Sequence, residues 1–276
     1  MNVGYGSGWT AALDLQFERA KERSIVSRCR HNGPLRVQKP FYPEDGVCHV
    51  YLLHPPGGVV GGDELSVSVR AGKGSAALIT TPGATRVYRS AGPLSTIKYR
   101  LNVEAGASLE WLPQDSILYG GSRLSQEMEV RLASGSRFCG WDITSMGRPA
   151  SGDHYTTGEF DQGFRLYVDS LPVLMERQRW RAGDKVLEAS WGLSGHTVLG
   201  TFYGFPADDD ILSLLRLRLE DISAGAMAVT LVDEVLVVRA LADDAVLLRQ
   251  IFADIWLRVR EMINGFTPGS PRVWAT

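Results

Sequence analysis

From about residue 9 to about residue 205, apolar side chains recur at every second position in short runs. Leu65, Val67 and Val69 alternate with Ser66, Ser68 and Arg70, and Ile97, Tyr99, Leu101 and Val103 alternate with Lys98, Arg100, Asn102 and Glu104. Met128, Val130 and Leu132 repeat the pattern against Glu129 and Arg131, as do Phe164, Leu166 and Val168. A period of two puts one set of side chains on one face of a strand. Clusters of Gly, Pro, Ser and Asp separate most of the runs and mark turns. The pattern predicts a mainly β body, about residues 9–205, of layered antiparallel or mixed sheets.

After Pro206 the texture changes. Asp208, Asp209 and Asp210 precede Ile211, Leu212, Leu215, Leu219 and Ile222 at helical spacing, and aspartates suit a helix N-terminus, where the dipole favours negative charge. A second amphipathic stretch starts at Asp243 and Asp244, carries Leu248, Ile251, Phe252, Ile255, Val259 and Met262 on one stripe, and ends at Asn264 and Gly265. At 1.5 Å per residue it would be about 30 Å long. Residues 229–231 and 235–238 are β-branched and apolar, so one or two strands return to a sheet between the helices. With no low-complexity linker and no clean repeat, residues 1–276 form a single domain: the β body, then a helix-strand-helix region at about residues 206–264 of the C-terminal third.

Composition narrows the partners. With 44% hydrophobic and 22% charged residues, the chain can bury a sizeable core without staples. A net charge of -2 with no basic run favours neither nucleic acid nor an anionic membrane. Three cysteines, with no CxxC pair, argue against a disulfide framework and for a reducing compartment. Residues 1–9 carry no basic and apolar leader pattern, and no apolar run reaches the ~20 residues of a membrane span. The expected location is the cytoplasm.

The densest chemistry lies in residues 48–63, CHVYLLHPPGGVVGGD, where metal-capable side chains, a proline pair, two glycine pairs and a carboxylate follow one strand. The glycines lack the Gly-Lys-Ser/Thr ending and following helix of a phosphate loop. Cys48 and His49 point to opposite faces of a strand, and His54 is about 20 Å from Cys48 along it, so these three do not close one metal site. The expected roles are a core cysteine and strand-end histidines. Three carboxylates stand in apolar sequence: Asp63, Asp142 between Trp141 and Ile143, and Glu176 after Pro172, Val173, Leu174 and Met175. Burying them requires pairing or hydration, and Arg148, Arg177 and Arg179 are nearby candidates for pairing. Sparse carboxylates along a wet interior would instead let a cation move by stepwise exchange. In residues 80–90, Pro82 and Gly83 suggest a type II turn. Arg86 and Arg89 beside Tyr88 suit a protein interface. No G-x-S-x-G elbow or other triad signature marks a nucleophile.

In order along the chain, GPLRVQKPFYPE at 33–44, YLLHPPGGVVGGD at 51–63, TPGAT at 81–85, YRS at 88–90, LEWLPQD at 109–115, GRP at 147–149 and PRVWAT at 271–276 together resemble the urease accessory protein UreD family, also called UreH. The resemblance spans nearly the whole chain. It implies a mainly β fold with two helices and a non-catalytic chaperone that assembles with the accessory protein UreF and the GTPase UreG on the urease apoprotein. It also implies passage of nickel toward the urease active site, with nickel(II) bound only transiently and no resident cofactor. On that picture Asp63, Asp142 and Glu176 line or guard the nickel path, Thr85 and His54 add polar lining, and Arg86 and Arg89 meet partners. A β-rich hydrolase using two of the carboxylates 5 to 10 Å apart is the alternative from another class. A metal-storing protein would need three convergent ligands.

Overall fold

A computed structural model describes residues 8–44, 46–220, 222, 225–267 and 269–275. Its strands, in chain order, are β1 (Thr10–Ala20), β2 (Arg23–Asn32), β3 (Arg36–Val37), β4 (Cys48–Leu53), β5 (Glu64–Ala71), β6 (Ala76–Thr80), β7 (Thr85–Val87), β8 (Ser95–Val103) and β9 (Ser108–Leu112). They continue as β10 (Ser116–Leu118), β11 (Arg123–Leu132), β12 (Arg137–Met146), β13 (Glu159–Val168), β14 (Leu171–Arg181), β15 (Val198–Phe205), β16 (Ala226–Val232) and β17 (Val235–Ala242). Two α-helices complete the fold, α1 (Asp209–Glu220) and α2 (Ala245–Asn264).

The strands form two sheets. The first has the order β14-β13-β11-β8-β5-β1-β2, and the second β16-β17-β15-β12-β9-β6-β4-β3 with β7 and β10 attached at β12. From β4 to β13 the chain passes back and forth between them, so that each loop of a flattened coil adds one strand to each sheet. Neighbours within a sheet are then parallel: β5, β8, β11 and β13 in the first, and β4, β6, β9 and β12 in the second. Antiparallel pairs close the ends, β1 with β2, β13 with β14, and β12, β15, β17 and β16 in succession. The sheets are therefore mixed, with a parallel middle.

Burial explains which strands alternate. The first sheet turns one face to the second sheet and the other to solvent, and β5 and β11 accordingly bury every second residue. The second sheet is covered on both faces, and all five residues of β6 and of β9 are buried. One apolar core, including Val67, Leu101, Val130, Ile79 and Trp111, fills the space between the sheets. Another, including Leu78, Leu112, Trp141 and Phe202, lies between the second sheet and the helices.

The helical region follows its signals closely. The Asp244 carboxylate accepts hydrogen bonds from the Val246 and Leu247 amides at 2.8 and 3.1 Å, and Gly265 ends α2 in the left-handed conformation at φ 74°. Leu248, Phe252, Ile255 and Val259 face the sheet, but Met262 is exposed, so the stripe is narrower at its end than its spacing predicts. Helix α1 stops at Glu220, before Ile222, and β16 and β17 form an antiparallel hairpin between the helices. Gly83 is not in the left-handed region, so the Pro82 turn is not type II. No helix among the described residues is long and apolar enough to cross a membrane.

Candidate functional site

The coil is hollow in part. Loops after β4, β6 and β9 frame a cavity of about 560 Å³ between the sheets, with His54 among its loop residues, and Thr85, Arg86, Tyr99, Gln126 and Asp142 lining it from strands. A much smaller cavity of about 20 Å³ is lined by Asp142, Gln162, Gln178, Thr201 and Glu176. Asp142 and Met128 line both, so the two spaces meet at Asp142.

Register arranges the polar groups in rows. Thr85 is opposite Ser116, which is opposite Thr144, placing three hydroxyls on neighbouring strands β7, β10 and β12. Across the gap, Gln126 is opposite Gln162, which is opposite Gln178, on β11, β13 and β14. Asp142 lies between the two rows. Gln162 Nε2 donates to its carboxylate at 2.9 Å, Gln126 Nε2 also donates to it, and the Thr144 hydroxyl lies at 3.4 Å.

Asp142 is enclosed by protein while part of it faces the cavities. Burial pushes its pKa up to about 6, although the amides of Gln162 and Gln126 and the Thr144 hydroxyl favour the anion. Among the described residues no guanidinium pairs with it. At neutral pH it is therefore a mostly ionised carboxylate held by neutral donors. Glu176, at the β14 side, is different: Arg239 forms an ion pair with it, and the Tyr203 hydroxyl donates at 3.2 Å. Arg177 and Arg179 instead share Asp161, and Arg148 lies 3.6 Å from Asp153.

The remaining residues singled out in the sequence divide between the path and its supports. His54 lines the wide cavity, and burial lowers its pKa against the opposing charge of Asp63, leaving a neutral imidazole at pH 7. Asp63 lines neither cavity. It is 5% exposed, and its carboxylate accepts from the Trp9 amide at 2.8 Å and the Val60 amide at 2.9 Å, holding the glycine-rich loop to the start of β1. Within that loop Gly58 packs so closely on the Tyr88 ring that a Cβ would overlap it. Arg86 and Arg89 are both exposed, and Arg89 lies near Tyr88, Tyr119 and Arg148 in a neighbouring surface cavity. Cys48, His49 and Cys139 have separate partners, Tyr42, Glu44 and Asn264. Among the described residues no three His, Cys, Asp or Glu side chains converge as a metal site.

The glutamines are the principal lining groups not singled out from the sequence. A signal was present: Gln126 falls between Leu124 and Met128, and Gln162 between Phe160 and Phe164, each a polar residue in an inward-facing apolar series. A second polar cluster lies outside the path, under α2. The Arg260 guanidinium, fully buried, pairs with both oxygens of Glu110 at 2.9 and 2.8 Å, with Glu44 at 2.8 and 2.6 Å, and donates to the Thr267 carbonyl at 2.7 Å. Trp256 Nε1 adds a bond to Glu110 at 2.7 Å. Every Arg260 N–H thereby has an acceptor, which makes burial of the charges tolerable.

Comparison with known proteins agrees with this architecture's reach across the chain. A profile of the UreD urease accessory protein family matches residues 10–275. The chain is 43% identical over 270 residues to a urease accessory protein UreD of Alkalilimnicola ehrlichii, covering 98% of this chain and 92% of that one. It is 38% identical over 271 residues to the UreD of Klebsiella aerogenes (98% and 97% covered) and 40% identical over 272 residues to that of Pseudomonas putida (99% and 96% covered). By matches of this extent, the chain belongs to the UreD urease accessory protein family.

Proposed function

We propose that this chain is a non-catalytic scaffold in urease maturation. It docks on the urease apoprotein together with a UreF-like accessory protein and a UreG-like GTPase in the cytoplasm, and it passes nickel(II) along its interior toward the urease active site. The observation that carries this reading is the hollow between the sheets, whose wide and narrow cavities are both lined by Asp142, a carboxylate with no ion-pair partner among the described residues. Conduction needs sites attractive enough to admit an ion and weak enough to release it. One carboxylate among hydroxyls and amides meets that requirement better than a closed cluster of strong ligands. His54 offers a neutral nitrogen in the wide cavity, Thr85 begins the hydroxyl row, and Glu176 would guard the far end with Arg239 as its counter-ion. Asp63 serves the path indirectly, by fixing the loop that follows His54. Arg86, in the lining of the wide cavity, and the nearby Arg89 are the proposed partner contacts.

The hydrolase reading fits less well. Room for about one water between Asp142 and Glu176 cannot admit a sugar ring, and Glu176 is already occupied by Arg239.

The test is co-expression of the full chain with the urease subunits and UreF-like and UreG-like proteins. One complex is expected to co-purify, and omission of this chain should abolish activation. Asp142→Ala is expected to leave the complex intact while lowering nickel per urease. Full nickel loading by that variant would overturn the conduit.

A further inference from the structure

The narrow part of the path poses a problem that its side chains answer. A cavity of about 20 Å³ accepts the centre of about one water molecule, whereas a small octahedral divalent ion in water carries six. An ion crossing from the wide cavity must therefore leave most of its water behind, and something must replace those oxygens. Gln126 is 2% exposed, its amide nitrogen donates to Asp142, and its carbonyl oxygen is buried with no hydrogen-bond partner. Gln178 also buries its side-chain carbonyl oxygen without a partner. Unpaired buried acceptors are costly, and these two belong to the same cross-strand row, on either side of Gln162.

We propose that the glutamine row is the dehydration site of the path: the Gln126 carbonyl oxygen on the wide-cavity side, and the Gln178 carbonyl, the Asp142 carboxylate and the Thr201 hydroxyl in the narrow cavity, replace water ligands of a passing divalent cation. The inference rests on the conduit reading and adds where the ion exchanges its water. These four donors are oxygens, and the side chain of Met128 lines the narrow cavity beside them. The oxygen donors suit hard and borderline six-coordinate ions such as manganese, cobalt and nickel, whereas the Met128 thioether in the same lining is a soft donor. This lining cannot tell nickel from cobalt by ligand softness, so that choice must be made before the ion enters. The Gln162 amide donates to Asp142 and helps to fix the carboxylate.

The experiment uses the full chain co-expressed with urease and both accessory partners, supplied with nickel chloride, and reads nickel per urease beside the yield of complex. Gln178→Met removes one unpartnered oxygen without removing a hydrogen bond to Asp142, and Gln178→Glu retains an oxygen. The Met variant is expected to lower nickel per urease roughly tenfold at limiting nickel with unchanged complex yield, and the Glu variant to restore most of it. Gln126→Met should act in the same direction. Asp142→Ala is run in parallel. Normal loading by both Met variants alongside poor loading by Asp142→Ala would overturn the glutamine site and leave the conduit standing. Normal loading by all three would overturn both. A Met variant that lowers complex yield but not nickel per assembled urease would assign the glutamines a structural role only, which also refutes the proposal.

Discussion

Asp142 shows how a single side chain can be costly to the fold and useful to the protein. Its pKa in the folded chain, about 6, lies above the ordinary carboxylate value, so the folded state binds the proton more tightly than the unfolded state. Folding is therefore unopposed by this group below about pH 4, and the opposition grows as pH rises, becoming complete above about pH 6. Asp142→Asn can still present a carbonyl oxygen to the amides of Gln126 and Gln162. It should stabilise the chain at pH 7.5 by on the order of 2 kcal/mol and change little at pH 4, as urea unfolding at the two pH values would reveal. Asp63 works in the opposite sense. Asp63→Ala would strand the amides of Trp9 and Val60, costing about 1–3 kcal/mol. Hydrogen exchange should show the loss at those two amides, and unchanged protection there would refute the structural role.

Among the elements, α2 carries the most concentrated physics. Its N-cap is explicit, and Asp244→Ala should lower stability by about 1 kcal/mol in thermal or denaturant melts. Its buried face is apolar except at Asn264 and at Arg260, which is held by Glu110 from β9 and Glu44 from the segment before β4. Arg260→Met would leave Glu110 buried without its counter-ion, and a loss of about 3–5 kcal/mol is expected. Adding Glu110→Gln should recover part of it, a coupling that a double-mutant cycle measures. Burial would raise the pKa of Glu44, but hydrogen bonds from His49 and Arg260 outweigh it and hold the carboxylate at about 2. A depressed carboxylate stabilises above its unfolded value, so this contribution is present at neutral pH and disappears as pH falls from about 4.5 to 2. The cluster was not legible in the sequence, because Glu44, Glu110 and Arg260 are far apart along the chain and each looks like an ordinary surface charge. Only α2 lying across the second sheet brings them together.

At the scale of the whole molecule, strands, helices and family were readable from the chain, while the path was not. Alternation along β5, β8, β11 and β13 follows from having one dry face, and it is the same whether neighbours run parallel or antiparallel. That left the coil open, since strand direction depends on how segments some thirty residues apart pair. Asp142, Thr85 and His54 were visible as chemistry out of place in apolar or turn sequence, and they line the same cavity. Asp63 had the same look yet serves the loop, because a buried carboxylate can be satisfied by backbone amides as well as by an ion. The rows of hydroxyls and glutamines exist only through cross-strand register, which matches Thr85 to Ser116 to Thr144 and Gln126 to Gln162 to Gln178. The sequence by itself determined the mainly β body, the two late helices with their caps, and membership in the family, because periodicity, capping and collinear motifs are properties of local order. The tertiary structure decided the hollow between the sheets, the isolation of Asp142 from any guanidinium among the described residues and the assembly of its oxygen-lined surroundings, because these depend on which distant strands become neighbours.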